Sequence, residues 1–337
     1  MSDLLLNIKD LKVGYKVYEG LLRVINGVNI EVKKGEKVGI VGETGSGKTT
    51  IAKSILRILP KQARILGGEI LFQNKDILKM SRSELSGLRG RGVSMIFQDP
   101  TASLHLLSTI GTTISDVIRY SYTFSNSRVA SSSLQIKETA VNALRSASLP
   151  DPDRILKSYP FQLSGGMRQR VMIAMALATA KDLLIADEPT TNLDVTIQDQ
   201  ILRLIDELVR RTGVSFILIT HSLALVSEMT DRVYVVYGGT VVEEANTQDL
   251  FKKPYHPYTR ALLSSVPKLS GGGIASGIPG QMVDYLNPPR GCRFSPRCPK
   301  VMPICEQEPP PLVEVEPGHK VACFLFVNHE ARSISNE

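Results

Sequence analysis

Lys37-Val-Gly-Ile-Val-Gly-Glu-Thr-Gly-Ser-Gly-Lys-Thr49 joins three kinds of local structure end to end. The apolar run up to Val41 reads as a buried strand, and the spacing from Lys48 to Leu59 reads as a helix that Pro60 stops. Between them, Gly42 to Thr49 fits the Gly-x4-Gly-Lys-Thr pattern of a phosphate-binding loop. Glycine suits Gly42, Gly45 and Gly47 because the backbone must come close to the phosphates, with N–H groups of the loop and the helix start facing negative charge. Lys48 is expected to reach the β- and γ-phosphates and the Thr49 hydroxyl to ligate Mg²⁺, with Glu43, Thr44, Ser46 and Thr50 completing the nucleotide-facing stretch. A plain Gly-rich turn would have no need of a strand before it and a helix after it.

Working outward, apolar strands recur at Gly68 to Phe72, Val93 to Phe97, Leu183 to Asp187, Ser215 to Thr220, Arg232 to Tyr237 and Thr240 to Glu244. Helical spacing lies between them, as in Met167 to Ala180 and Thr196 to Arg211. This alternation predicts an α/β fold with helices packed on a parallel sheet. Period-two stretches at Leu5 to Ile8 and Val24 to Val32 predict antiparallel strands at the N-terminus. The segment Thr101 to Met167 reads as an inserted helical subdomain, interrupted by a Ser-rich loop from Ser121 to Ser133. Gly271-Gly-Gly273 and Pro279-Gly280 mark a linker, beyond which Pro and Cys increase and regular periodicity fades.

The strand Leu183-Leu-Ile-Ala-Asp187-Glu188 ends in two carboxylates, the Walker B arrangement. Beside a phosphate loop, Asp187 is expected to hold Mg²⁺ directly or through water, and Glu188 to polarise the attacking water as general base. Without that loop, an acidic pair at a strand end would be read as solvated surface.

A net charge of +7, from 40 basic and 33 acidic residues, is spread over scattered pairs such as Lys33-Lys34 and Arg210-Arg211, which argues against a nucleic-acid patch. The longest apolar runs, Val171 to Ala178 and Phe216 to Ile219, fall short of the ~20 residues that cross a bilayer. The start, Met-Ser-Asp-Leu-Leu-Leu-Asn, lacks the basic and small-residue features of a secretory signal, so a cytoplasmic location is expected.

A second string, Leu163-Ser-Gly-Gly-Met-Arg-Gln-Arg170, narrows the class: it resembles the signature motif of ATP-binding cassette ATPases. The resemblance implies a P-loop cassette core with an N-terminal antiparallel β subdomain and an inserted α-helical signature subdomain. It also implies that Ser164, Gly165 and Gly166 serve the nucleotide of a partner subunit, so that two cassettes pair head to tail around ATP. Gln98, in Phe97-Gln-Asp-Pro100, resembles the Q-loop glutamine that reads Mg²⁺ and the attacking water, and His221 resembles the switch histidine near the γ-phosphate. Asp194, in Thr191-Asn-Leu-Asp194, matches the D-loop aspartate, although the preceding residues depart from the commoner Ala-Leu-Asp. Tyr15 resembles the aromatic that stacks on adenine, with Tyr18 a competitor and a core aromatic the plain alternative.

The strings Lys157-Ser-Tyr-Pro160, His256-Pro-Tyr-Thr259, Ile278-Pro-Gly280, Asn287 to Pro299 and Pro317-Gly-His319 resemble the dipeptide/oligopeptide importer ATP-binding subunits over essentially the whole chain. That implies an ATPase at the cytoplasmic face of the membrane, working with a second homologous ATPase (a heterodimer, with a homodimer open), two membrane permeases and an extracytoplasmic binding protein. Peptide, oligosaccharide and nickel remain open as cargo. A soluble cassette ATPase acting on nucleic acid or ribosomes is the competing reading. Two stretches depart from the family, Ser103-Leu-His-Leu-Leu107 in place of an Asn-Pro and Phe161-Gln162 in place of His-Glu, both near the expected permease contact.

The resulting division is a nucleotide-binding domain over 1–250 with its helical subdomain at about 101–167, a helix and linker over 251–280, and a small Cys-rich extension over 281–337. Cys292, Cys298, Cys305 and Cys323 are the chain's only cysteines, spaced C-x5-C-x6-C-x17-C. In a reducing compartment such clustering favours metal over disulfides. The absence of a closely spaced pair argues against zinc, and four thiolates on a Pro-rich loop suit an iron–sulfur cluster. Members of the resembled family carry a [4Fe-4S] cluster there; zinc and bare thiols stay open.

Overall fold

The structure, a computed structural model, describes residues 3–123, 132–179, 182–191, 193–265 and 277–327. Most of the loop expected at Ser121 to Ser133, the Gly271-Gly-Gly273 linker and Asn192 lie outside the described residues. In chain order the strands are β1 (Leu4–Val17), β2 (Gly20–Lys33), β3 (Lys37–Val41), β4 (Ala63–Phe72), β5 (Lys75–Asp76), β6 (Val93–Ile96), β7 (Leu183–Asp187), β8 (Ser215–Thr220), β9 (Arg232–Tyr237), β10 (Thr240–Asn246), β11 (Leu312–Glu316) and β12 (His319–Ala322). The chain forms two compact units. One comprises Met1–Leu5, Val32–Glu36 and Lys75–Leu218; the other comprises Leu6–Glu31, Lys37–Asn74 and Ile219–Glu337.

In the first unit, β6 and β7 run parallel in the register Val93↔Leu183 to Ile96↔Ala186, and β8 follows β7. Every residue of these strands is buried, as expected of parallel strands covered on both faces, and each buried Leu or Ile contributes roughly 1.5–3 kcal/mol. Helices Ile110–Thr123, Ser133–Ser146 and Gly165–Thr179 pack against one another. Gly111 allows the first of them to approach helix Pro152–Lys157, since a Cβ there would lie 2.6 Å from the Leu156 carbonyl oxygen. Helix Val195–Thr212 buries one stripe, Ile201, Leu202, Leu204, Ile205, Leu208 and Val209. Asp194 caps its start, accepting from the Ile197 N–H at 3.0 Å, and Gly213 ends it at φ 67°.

In the second unit, β2, β1 and β4 form an antiparallel sheet. The expected strands at Leu5 to Ile8 and Val24 to Val32 are parts of strands 14 residues long. Their full length is hidden in the sequence because the β1–β4 register slips between Lys9 and Val13, where Asp10 takes φ 47°, and a bulge breaks period-two alternation. Strand β3 pairs in parallel with β9 from Val38↔Arg232 to Val41↔Val235, so the run leading into the phosphate loop is held in register. Strands β9 and β10 form a hairpin through Gly238 and Gly239, both at positive φ as the turn requires.

Beyond residue 280 the fading periodicity predicts little regular structure, yet β12 pairs antiparallel with β10, and β11 with β12. Both strands are only four or five residues long, too short to stand out in the sequence, and a buried polar contact ties β12 to β10. Glu243 on β10 is fully buried and accepts from Tyr255 N–H at 2.7 Å, His256 N–H at 3.0 Å and His319 Nε2 at 2.8 Å. A buried carboxylate is tolerated only with such partners. No helix among the described residues is long and apolar enough to cross a membrane.

Candidate functional site

The residues singled out in the sequence divide between the units. Tyr15, Gly42 to Thr50 and His221 belong to one; Gln98, Ser164 to Gly166, Asp187, Glu188 and Asp194 belong to the other.

In the loop unit, helix Lys48–Ile55 starts at Gly47 in the left-handed region, with no side chain capping its first turn. Its leading N–H groups therefore suit an anion. Gly45, at φ 84°, faces open space, whereas a Cβ on Gly47 would lie 2.6 Å from Ile25 Cδ1. The Lys48 side chain is buried and Nζ donates to the Gly42 carbonyl at 2.8 Å and the Glu43 carbonyl at 2.9 Å. Its ammonium is thus held inside the loop. Ser46 Oγ is buried without a hydrogen-bond partner. Thr44 and Gly45 are exposed, and Thr49 is half-buried. Tyr15 donates to or accepts from the Thr50 hydroxyl at 3.0 Å, which ties its ring to the helix of the loop, whereas Tyr18 is fully exposed. His221 is exposed between β8 and helix Leu223–Met229.

Three further contacts on this loop are absent from the sequence reading. The Glu43 N–H donates to Tyr258 Oη at 2.8 Å, Tyr285 Oη donates to the Gly45 carbonyl at 2.7 Å, and Arg297 forks onto the Glu43 carboxylate at 2.8 and 3.1 Å. All three side chains fall within strings quoted above or just beside them, but no local spacing connects them to Gly42–Thr49. Burial pushes the Tyr285 phenol up to about 12, so it stays a donor at neutral pH.

In the other unit, Asp187 ends β7 and is 2 % exposed. The next residue, Glu188, sits in the left-handed region at φ 45°, a conformation that costs a non-glycine residue of order 1–3 kcal/mol. Glu188 Oε2 accepts from Gln98 Nε2 at 3.3 Å and from Thr191 Oγ1 at 3.1 Å. The structure brings Gln98 and Glu188 together, a contact the sequence did not predict, and Thr191 is a further addition; it follows Glu188-Pro-Thr and its hydroxyl carries no signal of its own.

Ser164, Gly165 and Gly166 stand at the start of helix Gly165–Thr179, with Ser164 and Gly165 exposed and Ser164 Oγ accepting from Met167 N–H at 3.3 Å. Gly166 is a packing requirement, since a Cβ there would lie 2.9 Å from Ile197 Cγ2. Gln169, from the same helix, is buried and donates to the Pro189 carbonyl, joining the signature to the turn that carries Glu188. Arg168 donates to the carbonyls of Pro160 and Leu163 and to Thr101 Oγ1, so it spans the two segments that flank Gln98 and Ser164.

The donor set suits the expected ion. Taken each in its own unit, the Asp187 carboxylate at the end of β7 and the Thr49 hydroxyl at the start of the loop helix are hard oxygen donors of the kind Mg²⁺ takes. The cysteines do not meet their expectation. Cys292, Cys298, Cys305 and Cys323 line one small space of about 10 Å³, no larger than a single water, and all four are free thiols. Burial pushes the Cys292 thiol up to about 11 and raises Cys298 and Cys323. Among the described residues no group of three or more His, Cys, Asp or Glu side chains is arranged to hold a metal ion. The iron–sulfur cluster, and zinc as its alternative, are corrected to four packed thiols.

Comparison with known proteins decides the family. Residues 25–191 match the ABC transporter family model, and residues 242–305 match the model of the oligopeptide/dipeptide transporter C-terminal region. The chain is 46 % identical to the "Probable peptide ABC transporter ATP-binding protein y4tR" of Sinorhizobium fredii, over 96 % of this chain and 95 % of that protein. The chain belongs to the ATP-binding proteins of oligopeptide/dipeptide ABC transporters. This ABC ATPase is also 42 % identical to the dipeptide transport ATP-binding protein DppD of Bacillus subtilis, over 95 % of this chain and 94 % of the relative. Its fold is that of an ABC cassette: the dimeric post-hydrolysis structure of the cassette MJ0796 bound to ADP and Pi superposes with a TM-score of 0.63 at 28 % identity, covering 72 % of this chain and 99 % of that one. The antiparallel and parallel sheets of the ABC ATPase described above are those of that mixed α/β cassette.

Proposed function

We propose that this ABC ATPase drives peptide import as one of two paired cassettes, bound peripherally at the cytoplasmic face of the membrane to two permeases fed by an extracytoplasmic binding protein. ATP hydrolysis coupled to transport follows from the family. Pairing and peptide cargo are carried over from relatives: MJ0796 is dimeric with ADP and Pi, and DppD is named for dipeptide transport. The observation that carries the catalytic assignment is the Glu188 carboxylate, set at φ 45° at the end of a buried strand and held by Gln98 and Thr191.

Each residue then has a task. The loop N–H groups and Lys48 bind the β- and γ-phosphates, Lys48 exchanging its carbonyl partners for phosphate oxygens. Tyr15 stacks on adenine. Thr49, Asp187 and Gln98 would hold Mg²⁺, which would supply neutralisation of phosphate charge. Glu188 accepts a proton from water as its oxygen attacks the γ-phosphorus; the bond to the bridging oxygen breaks, and ADP and inorganic phosphate leave. His221 donates to the γ-phosphate. Ser164, Gly165 and Gly166, exposed at a helix start, complete the partner's nucleotide pocket, and Asp194 lies at the edge of the same interface. Hydrolysis dissolves the contact between the cassettes, which turns phosphate chemistry into opening and closing. The permease surface includes Leu107, 85 % exposed, and Phe161, 64 % exposed and stacked on Tyr159 at 5.5 Å, on the two segments that Arg168 spans. Exposed apolar side chains of this kind mark a contact surface.

Purification of the tagged chain from its native membrane, with reconstitution of the permeases that accompany it, tests the proposal. Peptide-dependent ATP hydrolysis by the reconstituted complex is expected. Salt-sensitive binding to RNA or DNA with no membrane partner would replace it with the nucleic-acid reading. Turnover at the complex's rate by a chain shown to stay unpaired would remove the two-cassette site.

A further inference from the structure

A glycine-rich loop has a difficulty built into it: Gly45 and Gly47, at φ 84° and 99°, gain close approach to phosphate at the expense of backbone freedom that must be frozen on binding. In this chain the loop is held from outside by residues 278–297. Tyr285 Oη donates to the Gly45 carbonyl at 2.7 Å. The next carbonyl, of Ser46, accepts from the Gly239 N–H at 2.9 Å, and Gly239 belongs to the β9–β10 turn that Arg293 fastens through the Gly238 carbonyl. Two successive peptide planes of the loop are thus fixed by their oxygens. Because a trans peptide points its N–H opposite its C=O, fixing the oxygens also sets the direction of the N–H groups.

Arg297 contributes something different. Its side chain is 3 % exposed, and its guanidinium forks onto both Glu43 oxygens while also donating to the Pro279 and Ile278 carbonyls at 2.8 and 2.9 Å and lying 5.6 Å from the Tyr237 ring centre. Burial opposes its charge, but the bonds to Glu43 and Tyr237 outweigh that and hold the guanidinium protonated. Glu43 is an acidic residue inside a loop that must accept a polyanion. Left alone it would repel the phosphates, and Arg297 cancels it.

We infer that residues 278–297 form an intramolecular brace that sets the nucleotide affinity of the loop, with Tyr285 and Arg297 as positioning residues acting through Gly45 and Glu43. The inference rests on the reading of Gly42–Thr49 as the phosphate loop. It gives the C-terminal region a task at the nucleotide, independent of any metal.

Binding of a fluorescent ATP analogue, together with kcat and KM of the reconstituted complex, tests the brace. Tyr285→Phe deletes one hydroxyl and keeps the ring; it should weaken binding about three- to tenfold and raise KM by the same factor with kcat changed less than twofold. Arg297→Met should weaken binding by about tenfold or more, Arg297→Lys by less, and the double variant Glu43→Gln/Arg297→Met should bind more tightly than Arg297→Met alone, because the unpaired charge has gone. A purely structural role would lower the melting temperature of all variants without this recovery. Should Arg297→Met fail to fold, Tyr285→Phe decides alone. Parent-like binding by Tyr285→Phe, or no recovery in a folded double variant, overturns the brace. Failure of the parent chain itself to bind the analogue would instead overturn the reading of the loop.

Discussion

Gln98 Nε2 donates to Glu188 Oε2 across 3.3 Å, joining the end of β6 to the end of β7 at the carboxylate assigned to water activation. Thr191 donates to the same oxygen at 3.1 Å, so two side chains hold the base. Glu188→Gln keeps the shape and removes the base. We expect ATP-dependent pairing to persist while phosphate release falls roughly 100- to 10,000-fold. Thr191→Val, which removes one orienting bond, should lower kcat only about three- to tenfold. Full hydrolysis by the Gln variant in a phosphate-release assay would take Glu188 out of its role.

The two signature glycines should separate under substitution. A Cβ on Gly165 meets nothing nearer than Leu193 at 3.6 Å, whereas one on Gly166 lies 2.9 Å from Ile197, whose backbone is pinned by the Asp194 cap. Gly166→Ala should cost about 1–3 kcal/mol of stability, and Ile197→Ala in the same chain should recover part of it. Gly165→Ala should leave thermal unfolding nearly unchanged, so any activity it loses reports on the exposed face. Equal melting temperatures for the two alanine variants would contradict the packing described.

His256 makes stability depend on acid. Burial lowers its imidazole to about 4, with Glu243 opposing, and Nδ1 must stay unprotonated to accept from the Tyr258 N–H at 3.0 Å. An unfolded histidine titrates near 6.5, so between about pH 6.5 and 4 the unfolded chain binds the extra proton. Stability from this group is complete above pH 6.5 and is lost as pH falls to 4, by roughly 3 kcal/mol. Glu243 accepts from the His256 N–H and lies against His319 in the same interior. Denaturant unfolding across this range should show a shallower slope for His256→Asn; an unchanged slope would assign the acid sensitivity to other groups.

Legibility followed sequence distance. The loop, the Asp187-Glu188 pair and the signature are each contiguous, and strand or helix periodicity on either side states their setting; Gln98 and His221 needed the family resemblance because one residue at a strand end carries no pattern. The cysteines show the opposite hazard. Their clustering near the C-terminus is a composition signal, but ligation depends on how the side chains are arranged in space, and among the described residues no group of three or more His, Cys, Asp or Glu side chains is arranged to hold a metal ion. Strand β12 was equally hidden, because four residues carry little pattern and a buried Glu243–His319 contact ties it to β10.

The amino-acid string alone determined that a strand runs into Gly42–Thr49 and a helix out of it, because hydrogen bonding within a few residues, fixed turn geometry and side-chain period are local properties. Only the tertiary structure decided that Arg297, 254 residues away, neutralises Glu43, and that Tyr285 holds Gly45. Such contacts are chosen by which surfaces pack when the whole chain closes and by the demand that a buried charge find a partner, and no short stretch of sequence carries that information.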